Sequence, residues 1–384
     1  MGKYIATLSF LVPLLASGAI KIVCGPILQN VGEDSATIVW ATDADAMSWV
    51  EVAPADGSHF YAKERPKFFD APMGKKQIGK LHKVTVKGLE KGKKYNYRVF
   101  SREVVGTEYT NIFYGKVAST RVYQKVPPSL ETLDNSKKGM KFSVVNDIHG
   151  DNNKLKALLS TAENDDFLVF NGDMVTSIMS SPQQLYKDFL LTATEATKSS
   201  KPILFSRGNH ETRGGHSESY MDYFPTNTGK PYYTKKIRDA FFVFLDSGED
   251  KPDNDIEYSD SADFDNYRIE QAKWLAEVLE SPDYKNATYK IVVVHIPPSW
   301  GDWHGSIHFR KVFAPVLKGK KVDLYLSGHL HEYAFYPADE NFDAPNIANS
   351  NTEIMNISLE NDTITVKFKD VDGKQSRPDF VIKK

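Results

Sequence analysis

The chain has 384 residues, of which 41% are hydrophobic and 26% are charged. This composition is typical of globular proteins and excludes disordered and fibrous classes, and the length favours two domains over one core. The formal net charge is −2, from 48 basic and 50 acidic residues. The chain therefore lacks the basic excess of a nucleic-acid-binding protein, and no nucleic acid partner is favoured.

Residues 1–19 have the pattern of a secretory signal peptide. A basic start at Met1–Lys3 precedes an apolar stretch from Tyr4 to Leu15, and small residues follow as far as Ala19. The apolar stretch is too short for a stable membrane span, so we expect cleavage near Ala19, with a buried first strand as the alternative. The single cysteine, Cys24, excludes an intrachain disulfide. A periplasmic or extracellular location follows, and a chain without disulfides suits a bacterial periplasm.

Residues 20–122 are predicted to form a β-sandwich. Alternating apolar and polar residues, as in Ala36–Ala41, indicate about seven short strands separated by turns. The stretch Val84–Leu89 followed by Tyr95–Val99 resembles the E–F corner of fibronectin-III domains. That resemblance makes Trp40 the expected core aromatic residue of a fibronectin-III-like domain.

Residues 123–139 contain proline, serine and lysine without periodicity and are predicted to be a linker. Residues 140–384 then alternate buried strands with helices, which predicts an α/β domain. The predicted strands are Phe142–Val145, Phe167–Phe170, Ile203–Phe205, Phe241–Leu245, Ile291–Val294 and Leu324–Leu326. The predicted helices are Leu155–Ala162, Gln183–Thr197 and Ile269–Leu279. A hairpin of Ile354–Leu359 and Ile364–Phe368 is expected near the end of the chain.

Five polar clusters stand at or just beyond the ends of these strands, where α/β enzymes commonly place their sites. They are Asn146–Gly150, Asn171–Asp173, Arg207–Glu211, Val294–Pro297 and Ser327–His331. Burying unpaired acid, amide and imidazole groups is costly, and metal coordination satisfies many of them at once.

Two metal ions roughly 3.5–4 Å apart clamp a phosphate and lower the pKa of a bridging water. Mixed Asp, Asn and His ligands suit Mn, Fe or Zn better than Mg or Ca. Two divalent or transition metal ions are therefore the expected cofactors.

The ordered set Asp-x-His, Gly-Asp, Gly-Asn-His-Glu, His and Gly-His-x-His resembles the calcineurin-like metallophosphoesterase superfamily. With the preceding β-domain, the chain looks like the purple-acid-phosphatase-like subfamily. The resemblance implies a chain of two domains with a mixed fold class (α+β/α-β). The first domain would be an N-terminal β-sandwich. The second, over residues 140–384, would be a four-layer α/β/β/α metallophosphoesterase domain. The resemblance also implies a metal-dependent phosphoric ester hydrolase that works by in-line attack of a metal-bound hydroxide.

The resemblance assigns the site residues as well. The implied ligands are Asp147, His149 and His331 for the first ion, Asn209, His295 and His329 for the second, and Asp173 as the bridge. His210 would protonate the leaving oxygen or stabilise the transition state. Two substrate contacts are hypothesised from the residues alone: Arg213, for its charge and planarity, and His304, in a loop rich in glycine and tryptophan. Paired or solvated surface residues are the alternative at both positions. His329 and His331 are two residues apart, which in a strand would face them the same way.

Purple acid phosphatases differ from this chain at two positions. They carry glycine where His149 stands, and a tyrosine ligand where Thr176 stands. Without that tyrosine we expect no tyrosinate-to-iron charge-transfer band, which moves the chain toward the general Asp-x-His metallophosphoesterases.

The favoured function is a secreted phosphomonoesterase that acts on a small-molecule phosphate ester. A phosphodiesterase or nucleotide hydrolase is the alternative within the enzyme class, although the absent basic excess disfavours long polyanionic substrates. A non-catalytic surface protein that binds glycans or mediates adhesion through the sandwich is the alternative from another class. The sequence carries no signal for an oligomeric state.

Overall fold

The computed structural model describes residues 19–120, 126–162 and 165–384. The predicted signal peptide, apart from Ala19, lies outside the described residues. None of the described helices is long and apolar enough to cross a membrane.

The first sheet, which we call the β-domain, contains seven strands. They are β1 (Ile22–Gln29), β2 (Ser35–Pro54), β3 (Lys67–Phe69), β4 (Ile78–Lys87), β5 (Lys94–Glu108), β6 (Asn111–Ser119) and β7 (Ser129–Glu131). The first half of β2 pairs with β1 and β4, and its second half pairs with β3 and β5, while β6 and β7 pair with β5. The register between β2 and β4 shifts between Ala41 and Ala46. This irregularity lets one long strand serve both halves of a sheet folded over its own core.

Apolar side chains from both halves of β2 meet inside the β-domain. Trp40 and Val50 are buried there together with Tyr97 of β5, and the Trp40 indole nitrogen donates to Ser101 Oγ at 2.9 Å. Leu130 of β7 is buried in the same core, which explains why this strand forms inside the segment predicted as a linker. The predicted β-rich N-terminal domain is confirmed, whereas the fibronectin-III assignment stays a prediction.

Residues 140–384, which we call the two-sheet domain, contain two six-stranded sheets. The second sheet of the molecule has the order β10-β9-β8-β17-β18-β19, and the third has the order β11-β12-β13-β14-β16-β15. The strands are β8 (Met140–Val145), β9 (Phe167–Asn171), β10 (Ile203–Ser206), β11 (Tyr233–Ile237), β12 (Ala240–Leu245), β13 (Tyr289–Val294), β14 (Leu324–Ser327), β15 (Ala334–Tyr336), β16 (Asn346–Ala348), β17 (Glu353–Glu360), β18 (Thr363–Asp370) and β19 (Phe380–Lys383). Strands β8 to β10 are parallel to one another, and so are β12, β13, β14 and β16.

The helices of the two-sheet domain cover the outer faces of the sheets. They are α1 (Asn152–Ser160), α2 (Leu191–Thr197), α3 (Tyr220–Tyr223), α4 (Phe264–Glu280), α5 (Pro282–Asn286) and α6 (His304–Leu317). Apolar side chains of the two sheets pack face to face, α1 and α2 pack on the second sheet, and α4 to α6 pack on the third. The implied four-layer α/β/β/α architecture is confirmed. Each predicted strand and helix is present, although a π-helix over Tyr186–Leu190 begins the predicted helix that ends in α2.

The β-domain is packed against the α1 and α2 side of the two-sheet domain. Cys24 of β1 belongs to the apolar core around those helices, and burial raises the pKa of its thiol to about 12, so it is an unreactive apolar side chain. Gln29 Nε2 donates to the Tyr223 carbonyl at 2.9 Å, and the Tyr97 hydroxyl donates to the Ser199 carbonyl at 2.5 Å. The two domains therefore share one core and a hydrogen-bonded seam.

His82 of β4 is expected to make the stability of the β-domain depend on pH. Its ring centroid lies 5.2 Å from that of Trp40, and it hydrogen-bonds to Thr42 Oγ1 at 2.8 Å. Burial lowers the pKa of His82 from 6.5 to about 4, so the unfolded chain binds the proton first as the pH falls. Stability contributed by the neutral ring is present above pH 6.5 and is lost toward pH 4. Between pH 6.5 and pH 4, we expect the lowered pKa of His82 to reduce the free energy of unfolding by about 3 kcal/mol.

Urea denaturation at a series of pH values measures this loss. His82→Gln should flatten the pH dependence between pH 6.5 and 4, whereas His59→Gln, at an exposed histidine of the same domain, should leave it unchanged. An equally steep acid loss in His82→Gln would show that another group is responsible.

Candidate metal centre

The loops that follow β8, β9, β10, β13 and β14 bring the predicted ligands together at one edge of the two sheets. Parallel strands place their carboxyl ends on the same edge, which is why five separate sequence clusters meet there. Ligand atoms within 4.8 Å of one another form three groups: Asp147, His149 and His331; His149, Asp173 and His210; and Asp173, His295 and His329. The first and third groups correspond to the two ion sites that the resemblance implies.

The first group surrounds one point with one carboxylate oxygen and two imidazole nitrogens. Asp147 Oδ1 lies 3.4 Å from His331 Nε2 and 3.9 Å from His149 Nε2. The two Nε2 atoms are 3.0 Å apart. Three ligand atoms at these separations leave room for a shared cation once the side chains adjust to metal–ligand distances of about 2 Å.

The third group contains Asp173, His295 and His329, and the side-chain amide of Asn209 lies beside it. His295 Nε2 lies 3.0 Å from Asp173 Oδ2, and its Nδ1 bonds to the Asn171 carbonyl at 2.7 Å. That bond assigns the ring proton to Nδ1 in the neutral ring, so Nε2 is the atom available to a metal. In His329 the nitrogen that faces Asn209 is Nδ1 rather than Nε2, and it lies 3.1 Å from Asn209 Oδ1.

Asp173 belongs to two of the three groups, and Glu211 fixes its backbone. Asp173 Oδ2 is 4.0 Å from His149 Nε2 on the side of the first group. The buried Glu211 carboxylate accepts from the backbone nitrogens of Asp173 at 2.9 Å, Met174 at 2.7 Å and Gly208 at 2.8 Å. Burial, and then the charge of Asp173, raise the pKa of Glu211 to about 7. One carboxylate thus joins the loop after β9 to the loop after β10.

Five of the seven predicted ligands have a left-handed backbone. These residues are Asp147 (φ 53°), His149 (φ 51°), Asp173 (φ 52°), His329 (φ 72°) and His331 (φ 59°). Such conformations are uncommon outside glycine and cost about 1–3 kcal/mol each where the surroundings enforce them. The argument that a strand orients His329 and His331 alike is therefore wrong. The segment after β14 is not a strand, and its turns direct the two rings to different ligand groups.

The glycines of the motifs are required because the ligands pack against them. A Cβ atom on Gly172 would lie 2.4 Å from His295 Nδ1, and one on Gly208 would lie 2.2 Å from Asp173 Oδ1. A Cβ atom on Gly328 would lie 2.7 Å from Asp147 Oδ2. These distances are below van der Waals contact, so each glycine reserves the space that a ligand occupies.

The donor set fits two cations. Asp147 Oδ1 is buried without a hydrogen-bond partner among the described residues, whereas its Oδ2 accepts from the backbone nitrogen of His329 at 2.8 Å. At Asn209, hydrogen bonding alone favours an inward amide nitrogen, which would donate to His329 Nδ1 and to Asp173 Oδ2 at 3.3 Å. An inward amide oxygen faces only acceptors and requires a cation. Both observations match a site built for metal ions.

Charges inside the centre shift the pKa values of its groups strongly. Burial opposes ionisation of Asp173 and His295, yet their mutual attraction lowers the pKa of Asp173 below its usual range and raises that of His295 to about 10. Burial lowers the pKa of His149 to about 4 despite the nearby carboxylates Asp173 and Asp147. The ring of His149 is thus neutral at pH 7 and could bind a metal directly, while His295 would have to release a proton first.

His210 lies beside Asp173, and Arg213 lies beside His210. His210 Nδ1 bonds to the Thr176 carbonyl at 2.7 Å, and its Nε2 lies 3.9 Å from Asp173 Oδ2 and 3.3 Å from Arg213 Nη1. Glu249 binds the opposite edge of the guanidinium through two contacts, at 2.9 and 3.0 Å. Arg213 is therefore held rigidly, with Nη1 directed toward His210.

His304 is not brought into this cluster. Its Nε2 lies 2.9 Å from both carboxylate oxygens of Asp265, and its side chain is 40% exposed. The loop before it does reach the centre, because the ring centroid of Trp300 lies 5.2 Å from that of His329. The loop before His304 therefore lies beside a predicted metal ligand, whereas His304 itself contacts Asp265.

Asp250 contacts a predicted ligand, although sequence reasoning missed it. Its Oδ2 lies 3.5 Å from His329 Nε2, the nitrogen opposite the one that faces Asn209. The Gly305 backbone nitrogen donates to the Asp250 carbonyl at 2.7 Å, so the start of α6 holds Asp250 in place. Carboxylates in this position fix the tautomer and orientation of a metal-binding histidine. The available signal was its location soon after β12, a strand end like those of the ligand clusters.

Comparison with known proteins gives one family and several similar folds. A family model described as calcineurin-like phosphoesterase matches residues 140–333. A purple acid phosphatase from yellow lupin (Lupinus luteus) seeds has a similar structure, with a TM-score of 0.66 and 15% identity over 95% of this chain and 74% of that chain. A dimetal phosphatase from Danio rerio matches with a TM-score of 0.43 and 14% identity, over 64% of this chain and 98% of that chain. The lupin structure supports the overall fold.

Gly328→Ala is expected to disrupt the first ion site. The new methyl group would displace the Asp147 carboxylate, so we expect metal affinity to fall by about 100-fold while the core stays folded. Gly215→Ala is the matched control, because a Cβ atom there would meet no other atom within 4 Å. Metal content after dialysis against graded chelator measures the effect. Equal metal retention by the two variants would contradict the steric argument.

Asp250→Asn is expected to weaken metal binding at the second ion site only. Loss of the carboxylate charge beside His329 Nε2 should reduce affinity there by about 10-fold to 100-fold. Isothermal titration with Mn²⁺ would then separate one wild-type-like binding step from one weakened step. Asp265→Asn, at the carboxylate that contacts His304, is the control. Weakening of both steps, or of neither, would exclude a role for Asp250 in orienting His329.

Proposed function

Because the chain belongs to the calcineurin-like phosphoesterase family and is a metal-dependent hydrolase of phosphoric esters, we propose that it hydrolyses small phosphate monoesters outside the cytoplasm. The observation that carries this proposal is the position of Asp173 between two groups of ligand atoms. Two ions bound there would neutralise phosphoryl charge and supply a nucleophile at neutral pH.

The fixed charge of Arg213 beside His210 favours a monoester over a diester. Arg213 presents Nη1 beside His210 at 3.3 Å, and Glu249 prevents the guanidinium from turning away. A monoester dianion has more charge on its phosphoryl oxygens than a diester, so it gains more from this fixed cation. The formal net charge of −2 also disfavours a long polyanionic substrate.

His210 can handle a proton at its Nε2 atom. With Nδ1–H bonded to the Thr176 carbonyl, Nε2 of the neutral ring accepts from Arg213 Nη1. A proton at Nε2 replaces that hydrogen bond, and the ring can then donate to the leaving oxygen of the ester. Arg213 Nη1, released by the same step, is free to bind a phosphoryl oxygen. In this proposal the two side chains act as one unit.

A location outside the cytoplasm is part of the same proposal. Its support is the basic start, short apolar stretch and small residues of positions 1–19. Expression of the full chain fused to a reporter that is active only outside the cytoplasm tests it. Reporter activity that persists after residues 1–19 are deleted would contradict it.

Hydrolysis of p-nitrophenyl phosphate and of bis-p-nitrophenyl phosphate by metal-loaded protein tests the reaction. We expect kcat/KM for the monoester to be higher by about tenfold or more, which corresponds to about 1.4 kcal/mol of transition-state binding. Asp173→Asn should lower kcat for both esters by about 10³-fold, because the two ions lose their shared ligand.

Asp283→Asn, on the surface beside Lys236, is the control and should keep wild-type rates. Faster cleavage of the diester would overturn the monoester preference. Full turnover by Asp173→Asn at wild-type metal content would overturn the bridging assignment.

A further inference from the structure

A cavity of about 570 Å³ lies between the β-domain and the two-sheet domain. Thr132 lines its β-domain side, and Phe167 and Pro202 line the other side. These last two residues stand at the amino ends of β9 and β10, whereas the candidate metal ligands follow the carboxyl ends of their strands. The cavity is therefore at the opposite edge of the second sheet from the metal centre.

Lys235 enters this cavity from a strand position that otherwise faces the core. On β11, Tyr233 and Ile237 belong to the apolar core between the two sheets, and Lys235 lies between them on the same face of the strand. Its cross-strand partner, Phe242, belongs to that core as well. The neighbouring Lys236 points to the other face, where its ammonium binds Asp283 at 2.6 Å.

The Lys235 ammonium has no hydrogen-bond or ion-pair partner in the part of the chain that the structure describes. Burial lowers its pKa to about 8, so the group still carries a proton at neutral pH. Lys235 is half-buried, and a partly desolvated charge without a partner is disfavoured unless an opposite charge compensates for it. An anion in the cavity would provide that charge.

The charges around the cavity, Lys235 included, leave a positive excess. Among the residues that the structure describes, five basic and three acidic side chains line it: Lys94, Lys198, Lys201, Lys235, Arg238, Glu131, Asp165 and Asp166. Arg238 binds Asp166 at 2.6 Å, and Lys201 lies 3.9 Å from Asp165. The excess of two positive charges matches a dianion better than a neutral or singly charged ligand.

We propose that this cavity is a binding site for a small tetrahedral oxyanion of the phosphate class, with Lys235 as its central contact. The ligand is either inorganic phosphate or the phosphoryl group of a small organic phosphate, and the cavity volume admits both. Since residues from both domains line the cavity, bound anion stabilises the seam between them in proportion to its concentration. The site is independent of the metal centre and of the reaction proposed there.

Nuclear magnetic resonance of full-length, metal-loaded protein with ¹³C-labelled lysine ε-carbons tests the proposal. The Lys235 signal is assigned by its absence in Lys235→Met, and the signal is titrated with inorganic phosphate and, separately, with methylphosphonate, which mimics a monoester and is not hydrolysed. We expect a saturable shift of this signal and a rise of about one unit in the pKa of Lys235. The ligand that binds more tightly shows whether the cavity takes inorganic phosphate or the phosphoryl group of a small organic phosphate.

Thermal unfolding with and without phosphate gives a second measurement. Phosphate at the metal centre stabilises every variant, so the comparison of Lys235→Met with Lys236→Met isolates the cavity. We expect phosphate to stabilise Lys235→Met less than it stabilises the wild-type protein, and to stabilise Lys236→Met as much as the wild-type protein. The proposal would be overturned if the Lys235 signal shifted with neither anion and phosphate stabilised the two variants equally. Lys235 would then be an inward charge that protects the edge strand β11 from pairing with other chains.

Discussion

Two carboxylates, Asp147 and Asp173, are buried at one edge of the paired sheets with histidines on every side. Buried like charges repel in a medium of low dielectric, so the arrangement depends on positive charge between them. His295 provides part of that charge through its 3.0 Å contact with Asp173. Asp147 Oδ1 still has no hydrogen-bond partner in the described chain. This unmet requirement for cations organises the rest of the site.

The surrounding structure fixes the carboxylates before any ion arrives. Asp173 accepts from the His210 backbone nitrogen at 2.9 Å, and Glu211 holds the backbone of Asp173 and of Gly208. Left-handed residues redirect the chain after β8, β9 and β14. The strain in these turns is supported by rigid strands on one side and by close-packed glycines on the other. A preorganised centre of this kind loses little free energy to reorganisation when it binds metal or substrate.

Much of this could be predicted from the sequence, because apolar strands and the polar residues after them are local signals. The strands of the two-sheet domain follow from such patterns. The burial of Trp40 and the grouping of Asp147, His149 and His331 were implied by the family resemblances that these patterns carry. What could not be predicted depends on contacts between distant segments. Leu130 forms a strand because it fills the core of the β-domain, and the contact of Asp250 with His329 spans two loops. From the sequence alone Lys235 cannot be distinguished from a surface lysine, because its position depends on its cross-strand partner.

We propose that one buried carboxylate, Asp173, joins two ions into a single centre. Electron paramagnetic resonance of the protein loaded with two equivalents of Mn²⁺ tests it most directly, since ions that share a carboxylate ligand are magnetically coupled. The account predicts the spectrum of an exchange-coupled manganese pair at full loading. Spectra of isolated manganese ions at every loading, with two ions bound per chain, would contradict it.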